Sequence, residues 1–131
     1  MNVLFVCVQN AGRSQIAEAL FERGAGGRHH AQSAGTKPAA RVHPEVANAL
    51  SELGVDVTHR VPRALGRKDA DWADVVVTMG CGDACPVVPG TCYVDWQLDD
   101  PAGRPAAEVR VIRDEVADRV EALLAELDGP G

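Results

Sequence analysis

A thiol, a guanidinium and a hydroxyl stand close together in the run Cys7-Val8-Gln9-Asn10-Ala11-Gly12-Arg13-Ser14. The apolar stretch Val3-Leu4-Phe5-Val6 precedes it and Gln15-Ile16-Ala17-Glu18-Ala19-Leu20 follows it, so the run reads as a loop between a strand and a helix. Such a loop aims successive backbone N–H groups at one point, where they can hold a tetrahedral oxyanion. The predicted cradle spans Val8, Gln9, Asn10, Ala11, Gly12, Arg13 and Ser14. The same N–H groups, the helix N-terminus and Arg13 favour the thiolate of Cys7, and the Ser14 hydroxyl can donate to it. Arg13 can fold its planar fork back over the loop and grip two oxygens of the anion while Cys7 attacks the central atom. Taken alone, a cysteine at a strand end is an inert small hydrophobe and an arginine opening a helix is a solvated charge. The strand before, the helix after, Gly12 and Ser14 favour the chemical reading.

A second group follows the apolar run Val75-Val76-Val77: Gly80-Cys81-Gly82-Asp83-Ala84-Cys85-Pro86, and then Cys92. Cys81 and Cys85 can close a disulfide if the loop between them bends, which glycine permits. Zinc is the competing reading of short cysteine spacing, but it needs two more ligands, and His29, His30, His43 and His59 show no paired spacing toward this loop. No metal is therefore expected, and Cys92 reads as a spare thiol on a strand. A third group is Asp99-Asp100-Pro101. By itself it is an acidic turn before proline. Beside a loop carrying Cys7 and Arg13, a carboxyl group here can protonate a leaving oxygen, with Asp100 the preferred acid and Asp99 the alternative.

Strands and helices must alternate to position these groups. The pattern predicts strands over 2–6, 30–33, 73–79 and 92–96, and a helix from Ser14 to about Gly24. A further helix starts at Pro44, carries Val46, Ala49, Leu50 and Leu53 on one face, and ends at Gly54. Val109, Ile112, Val116, Val120, Leu123 and Leu127 trace the buried stripe of a long last helix. Strands separated by helical segments give a parallel sheet with helices on both faces, and ligands then bind at the carboxyl ends of the strands, where Cys7 falls.

The 131 residues fit a single domain, 1–131. No apolar run is long enough to span a membrane, and the first residues lack the basic start and cleavage site of a signal peptide, so a cytoplasmic location is expected. In that compartment four cysteines read as reactive or metal-binding and not as a static disulfide framework. A formal net charge of −6 argues against a nucleic-acid partner.

Together these passages resemble the low-molecular-weight tyrosine phosphatase superfamily, and within it the arsenate reductases that recycle through cysteines. The resemblance is carried by Val6 to Gln15, Ser33-Ala34-Gly35, Val75 to Met79, Cys85-Pro86 and Asp99-Asp100-Pro101-Ala102-Gly103. It implies an α/β fold with a four-stranded parallel sheet flanked by helices. Phosphatases of this family tend to have proline where this chain has Gln15 and tyrosine where it has Ala102, and they lack a redox pair after the third strand. The chain is thus more similar to the reductases. That likeness implies Cys7 as nucleophile, Arg13 as anion ligand, Asp100 as acid, and Cys81 and Cys85 as the resolving pair, whose order stays open. It implies no resident cofactor but an external dithiol such as thioredoxin; mycothiol with mycoredoxin is the alternative donor, and a tyrosine phosphatase the alternative activity. Some relatives use a potassium ion through residues matching Asn10, Glu18 and Ser33; here Arg63 is expected in its place.

Overall fold

The computed structural model describes residues 1–80 and 91–129. The elements run β1 (Asn2–Cys7), α1 (Arg13–Ala25), β2 (His30–Gly35), α2 (Pro44–Ser51), α3 (Arg67–Trp72), β3 (Val75–Thr78), β4 (Cys92–Asp95) and α4 (Ala106–Asp128). The four strands form one sheet in the order β2-β1-β3-β4, with every neighbouring pair parallel. β1 is therefore flanked on both sides, and Cys7 closes it opposite Gly35. Successive side chains of a strand point to opposite faces. Val3, Phe5 and Cys7 accordingly join the larger core with Val75 and Val77, under Ile16 and Phe21 of α1, Leu50 of α2 and Val116 of α4. Leu4 and Val6 enter a smaller core with Ala34, Ala73 and Val76 on the other face, beside α3, with Leu65, Trp72 and Tyr93 packed at its margin. Phe5 and Phe21 meet edge to face at 5.6 Å, fixing α1 against the strand that carries Cys7.

The sequence expectations hold for the sheet and for the three longer helices, with shifts at their ends. α1 begins at Arg13 and continues to Ala25, where left-handed Gly26 stops it by donating to the Glu22 carbonyl. α2 stops at Ser51, short of the expected end at Gly54, because the chain tightens into turns in which Leu53 bonds Leu50 and Gly54 bonds Ser51. β2 reaches Gly35, two residues past Ser33, and the strand expected over 73–79 is only Val75–Thr78. Helix α3 has no counterpart in the sequence analysis. Its six residues are mostly polar, and its first turn is held by Asp69, whose carboxylate accepts from the Gly66 N–H at 2.8 Å.

Candidate active site

The loop between β1 and α1 is held from outside. Cys7 O accepts from Thr36 N, Val8 O from Lys37 N, Gln9 O from Ala39 N, Ala11 O from His43 N and Gly12 O from Ile16 N. Asn10 O accepts from the Gln15 side-chain amide at 3.0 Å. All six carbonyls from Cys7 to Gly12 thus point away from the loop's centre. In a trans peptide the following N–H points opposite to its carbonyl, so the N–H groups of residues 8–13 turn inward. The bend is made at Asn10, the one non-glycine residue with a left-handed φ (51°) among the described residues. Asparagine tolerates that conformation better than most residues. Gly35 lets β2 come close enough to support the bend: a Cβ there would lie 2.6 Å from Val8 O and 2.9 Å from Asn10 N.

Cys7 is buried, with its Sγ 2.9 Å from Ser14 Oγ. Asn10 Nδ2 donates to that same oxygen at 2.8 Å, so the single Ser14 proton is left to donate to the sulfur. Asn10 is in turn fixed by the Arg63 backbone N–H, which donates to its Oδ1 at 2.9 Å. Cys7, Val8, Gln9, Gly12, Arg13, His43 and Asp100 line one narrow cleft. Arg13, opening α1, crosses it to donate to Leu98 O at 3.2 Å, and its guanidinium reaches Asp100 at 3.9 Å. The Asp100 side chain is 54% exposed, a geometry that suits exchange of a proton with solvent or a ligand better than a fixed ion pair. Ala102 N–H steadies it by donating to Oδ1 at 3.0 Å. Asp99 is exposed and does not line the cleft. The structure therefore brings together Cys7, Arg13, Ser14 and Asp100, whereas Cys81 and Cys85 lie outside the described residues.

Two further groups belong to this region and were not legible as such. His43, considered only as a metal ligand, lines the cleft and bonds Gln9 Oε1 through Nε2 at 2.8 Å. Arg60 pairs with Glu18 and, at 3.2 Å, with Glu22. Burial lowers the Arg60 pKa and raises that of Glu22. A sequence signal existed for neither, since each pair joins distant segments.

The potassium ligands implied by resemblance do not fit an ion here. Asn10 Oδ1 receives Arg63 N–H, Ser33 O receives the Arg63 guanidinium at 2.7 Å, and Glu18 receives Arg60. Arg63 is anchored further by Asp69 at 2.5 Å. Two arginines, and not Arg63 alone, hold the three positions. Only Gln15 Oε1 is buried without a partner among the described residues, and one amide oxygen is no coordination shell. Among the described residues no cluster of three or more His, Cys, Asp or Glu could hold a metal.

A strand ending in a buried cysteine, six carbonyls turned outward, and an arginine opening the next helix accompany a matching family model, low molecular weight phosphotyrosine protein phosphatase, over residues 2–130. The chain belongs to this family. A thioredoxin-dependent arsenate reductase of Corynebacterium glutamicum is 42% identical with a TM-score of 0.80, covering 94% of this chain and 58% of that one. The chain thus spans a little over half the length of that relative. A glutaredoxin arsenate reductase of Synechocystis is 35% identical over 95% of this chain and 97% of its own length. An arginine phosphatase of Geobacillus stearothermophilus is 26% identical with a TM-score of 0.84, covering 97% and 92% of the two chains. Among the described residues no helix is long and apolar enough to cross a membrane.

Proposed function

We propose that the chain reduces arsenate to arsenite by a cysteine relay, with no resident cofactor. The observation that carries the anion chemistry is the outward turn of every carbonyl from Cys7 to Gly12, with Cys7 Sγ bonded to Ser14 at the cleft's end. Arsenate takes the inward N–H groups and the Arg13 fork as ligands. The Cys7 thiolate attacks arsenic, and an oxygen leaves as water after Asp100 protonates it. Cys81 then attacks the sulfur of Cys7. The new S–S bond forms as the S–As bond breaks, and its electron pair stays on arsenic, which leaves as arsenite. Cys85 attacks Cys81, releasing the Cys7 thiolate and leaving a Cys81–Cys85 disulfide. An external dithiol restores the two thiols.

Three features favour reduction over phosphate-ester hydrolysis. The chain has the pair Cys81 and Cys85. Gln15, in place of a proline, clasps the loop through Asn10 O, and Ala102, in place of a tyrosine, offers Asp100 only its backbone N–H. The names of the reductase relatives point the same way. Thioredoxin is the proposed donor, and the relay belongs in a reducing, cytoplasmic compartment.

Arsenate supplied with thioredoxin, its reductase and NADPH tests this, followed by NADPH consumption. Arsenate-dependent consumption is expected, with peptide mapping after one turnover showing Cys81 joined to Cys85. The variant Cys85→Ser should stop after one turnover with Cys7 joined to Cys81. Full turnover by a double Cys81→Ser, Cys85→Ser variant with mycothiol and mycoredoxin assigns the donor to that thiol instead. Rapid hydrolysis of an aryl phosphate without arsenate-dependent NADPH consumption makes the chain a phosphatase and refutes the relay.

A further inference from the structure

Gly80 follows β3 and directly precedes Cys81, with φ of +82°. It differs from the other left-handed glycines in what surrounds it. At Gly27, Gly54, Gly103 and Gly129 a Cβ would meet nothing within 4 Å and at Gly26 only Arg28 Nη1 in ordinary contact at 3.7 Å, whereas at Gly80 it would lie 2.7 Å from Arg13 Nη1, 3.4 Å from Cζ and 3.5 Å from Nη2. The Arg13 side chain is only 10% exposed, and its guanidinium is tied on another side to Leu98 O. The bare Gly80 backbone thus packs directly against the group that grips the anion. The contact of an added methyl is with the far end of a long side chain, which can move without disrupting the core, while the φ of +82° adds a separate backbone strain. The fork cannot absorb the methyl without changing its aim, and bidentate recognition depends on aim.

We propose that Gly80 is a positioning residue for oxyanion binding, acting through the Arg13 guanidinium. The inference rests on Arg13 as the anion ligand, and inorganic phosphate, which is bound but not reduced, separates the two claims. Gly80→Ala should weaken phosphate binding by about ten- to a hundredfold, the range for hydrogen bonds to a charged group. It should raise KM for arsenate more than it lowers kcat, and shift the Arg13 Nε–H resonance of the free protein. Gly80→Asn distinguishes displacement from backbone strain. Asparagine tolerates positive φ better than alanine but is larger, so it should bind phosphate no better than Gly80→Ala. In an Arg13→Lys background, which by itself should lose most phosphate affinity if Arg13 is the ligand, Gly80→Ala should change binding less than about twofold, because the shorter lysine head removes the clash. Unchanged phosphate binding by Gly80→Ala, recovery in Gly80→Asn, or an equal loss in the Arg13→Lys background overturns the proposal. If the lysine background binds too weakly to titrate, the alanine and asparagine variants decide alone.

Discussion

Replacing Ser14 by alanine tests the charge arrangement at the sulfur most directly. Ser14 is fully buried, its oxygen is claimed by Asn10 Nδ2, and its one proton points to Cys7 Sγ. Ser14→Ala deletes that donor and leaves Asn10 Nδ2 without its partner. A hydrogen bond to a charged group contributes about 1.5–3 kcal/mol, so its loss should weaken the stabilisation of the attacking sulfur by roughly 10- to 150-fold. The remaining thiolate is a stronger nucleophile, and with a Brønsted slope of about 0.4–0.5 this offsets nearly half the loss on a logarithmic scale. The net expectation is an alkylation rate reduced by about 3- to 20-fold. The assay is iodoacetamide labelling of Cys7 in mildly acidic buffer, quantified by mass spectrometry against the exposed Cys92 as internal reference. Asn10→Ala should slow labelling less, since it frees the hydroxyl to rotate but does not remove it. Labelling of Ser14→Ala at the wild-type rate would show that the 2.9 Å contact does not stabilise the thiolate.

Asp100→Asn should slow the first chemical step by about 10²- to 10⁴-fold with a smaller effect on phosphate binding; Asp99→Asn should do much less, and the reverse order in single-turnover measurements would move the acid to Asp99. Exchange of potassium for sodium at constant ionic strength should leave turnover unchanged within about twofold, because Arg60 and Arg63 already meet Glu18, Asn10 and Ser33; strict dependence on potassium would contradict that geometry. Hydrogen bonds from Arg110 and Arg113 on α4 hold the Glu52 pKa at about 2, against 4.5 for the free group. A depressed carboxyl pKa contributes stability that is present above the unfolded value and lost as pH falls through the folded one. Urea midpoints of the wild type should therefore drop between pH 4.5 and about 2 more steeply than those of Glu52→Gln, and parallel curves would refute the coupling.

The parts of this protein that were legible in the sequence are those whose signal is contiguous. The buried run Val75-Val76-Val77, the stripe from Val109 to Leu123 and the order of strand, loop and helix around Cys7 all follow from periodicity and local chemistry. Ser14 was legible for the same reason, lying on the first turn after the loop. Helix α3 was not, because Arg67-Lys68-Asp69-Ala70-Asp71-Trp72 has no apolar stripe and depends on the cap at Gly66. Pairings such as Arg60 with Glu18 and His43 with Gln9 were hidden because the chain distances between them carry no period, whereas Arg63 beside Asn10 and Ser33 was expected from the family resemblance alone. These pairings arise only once the segments before and after α2 are laid beside the loop and α1.

The strand register also sets how far apart the thiols at the two ends of the sheet must remain. Cys92 lies opposite Val75, Val75 opposite Val3, and Cys7 is four residues further along β1, two strands away. Four residues at about 3.3 Å and two strand spacings of about 4.8 Å separate the α-carbons of Cys7 and Cys92 by roughly 16 Å. A disulfide requires less than about 7 Å, so no internal bond can join them while the sheet is intact. Cys92 is nevertheless exposed and can meet a second molecule. Two chains linked through Cys92 in air would be joined at the far end from both anion loops, so ageing of the protein would register as a doubled mass with the cleft still open.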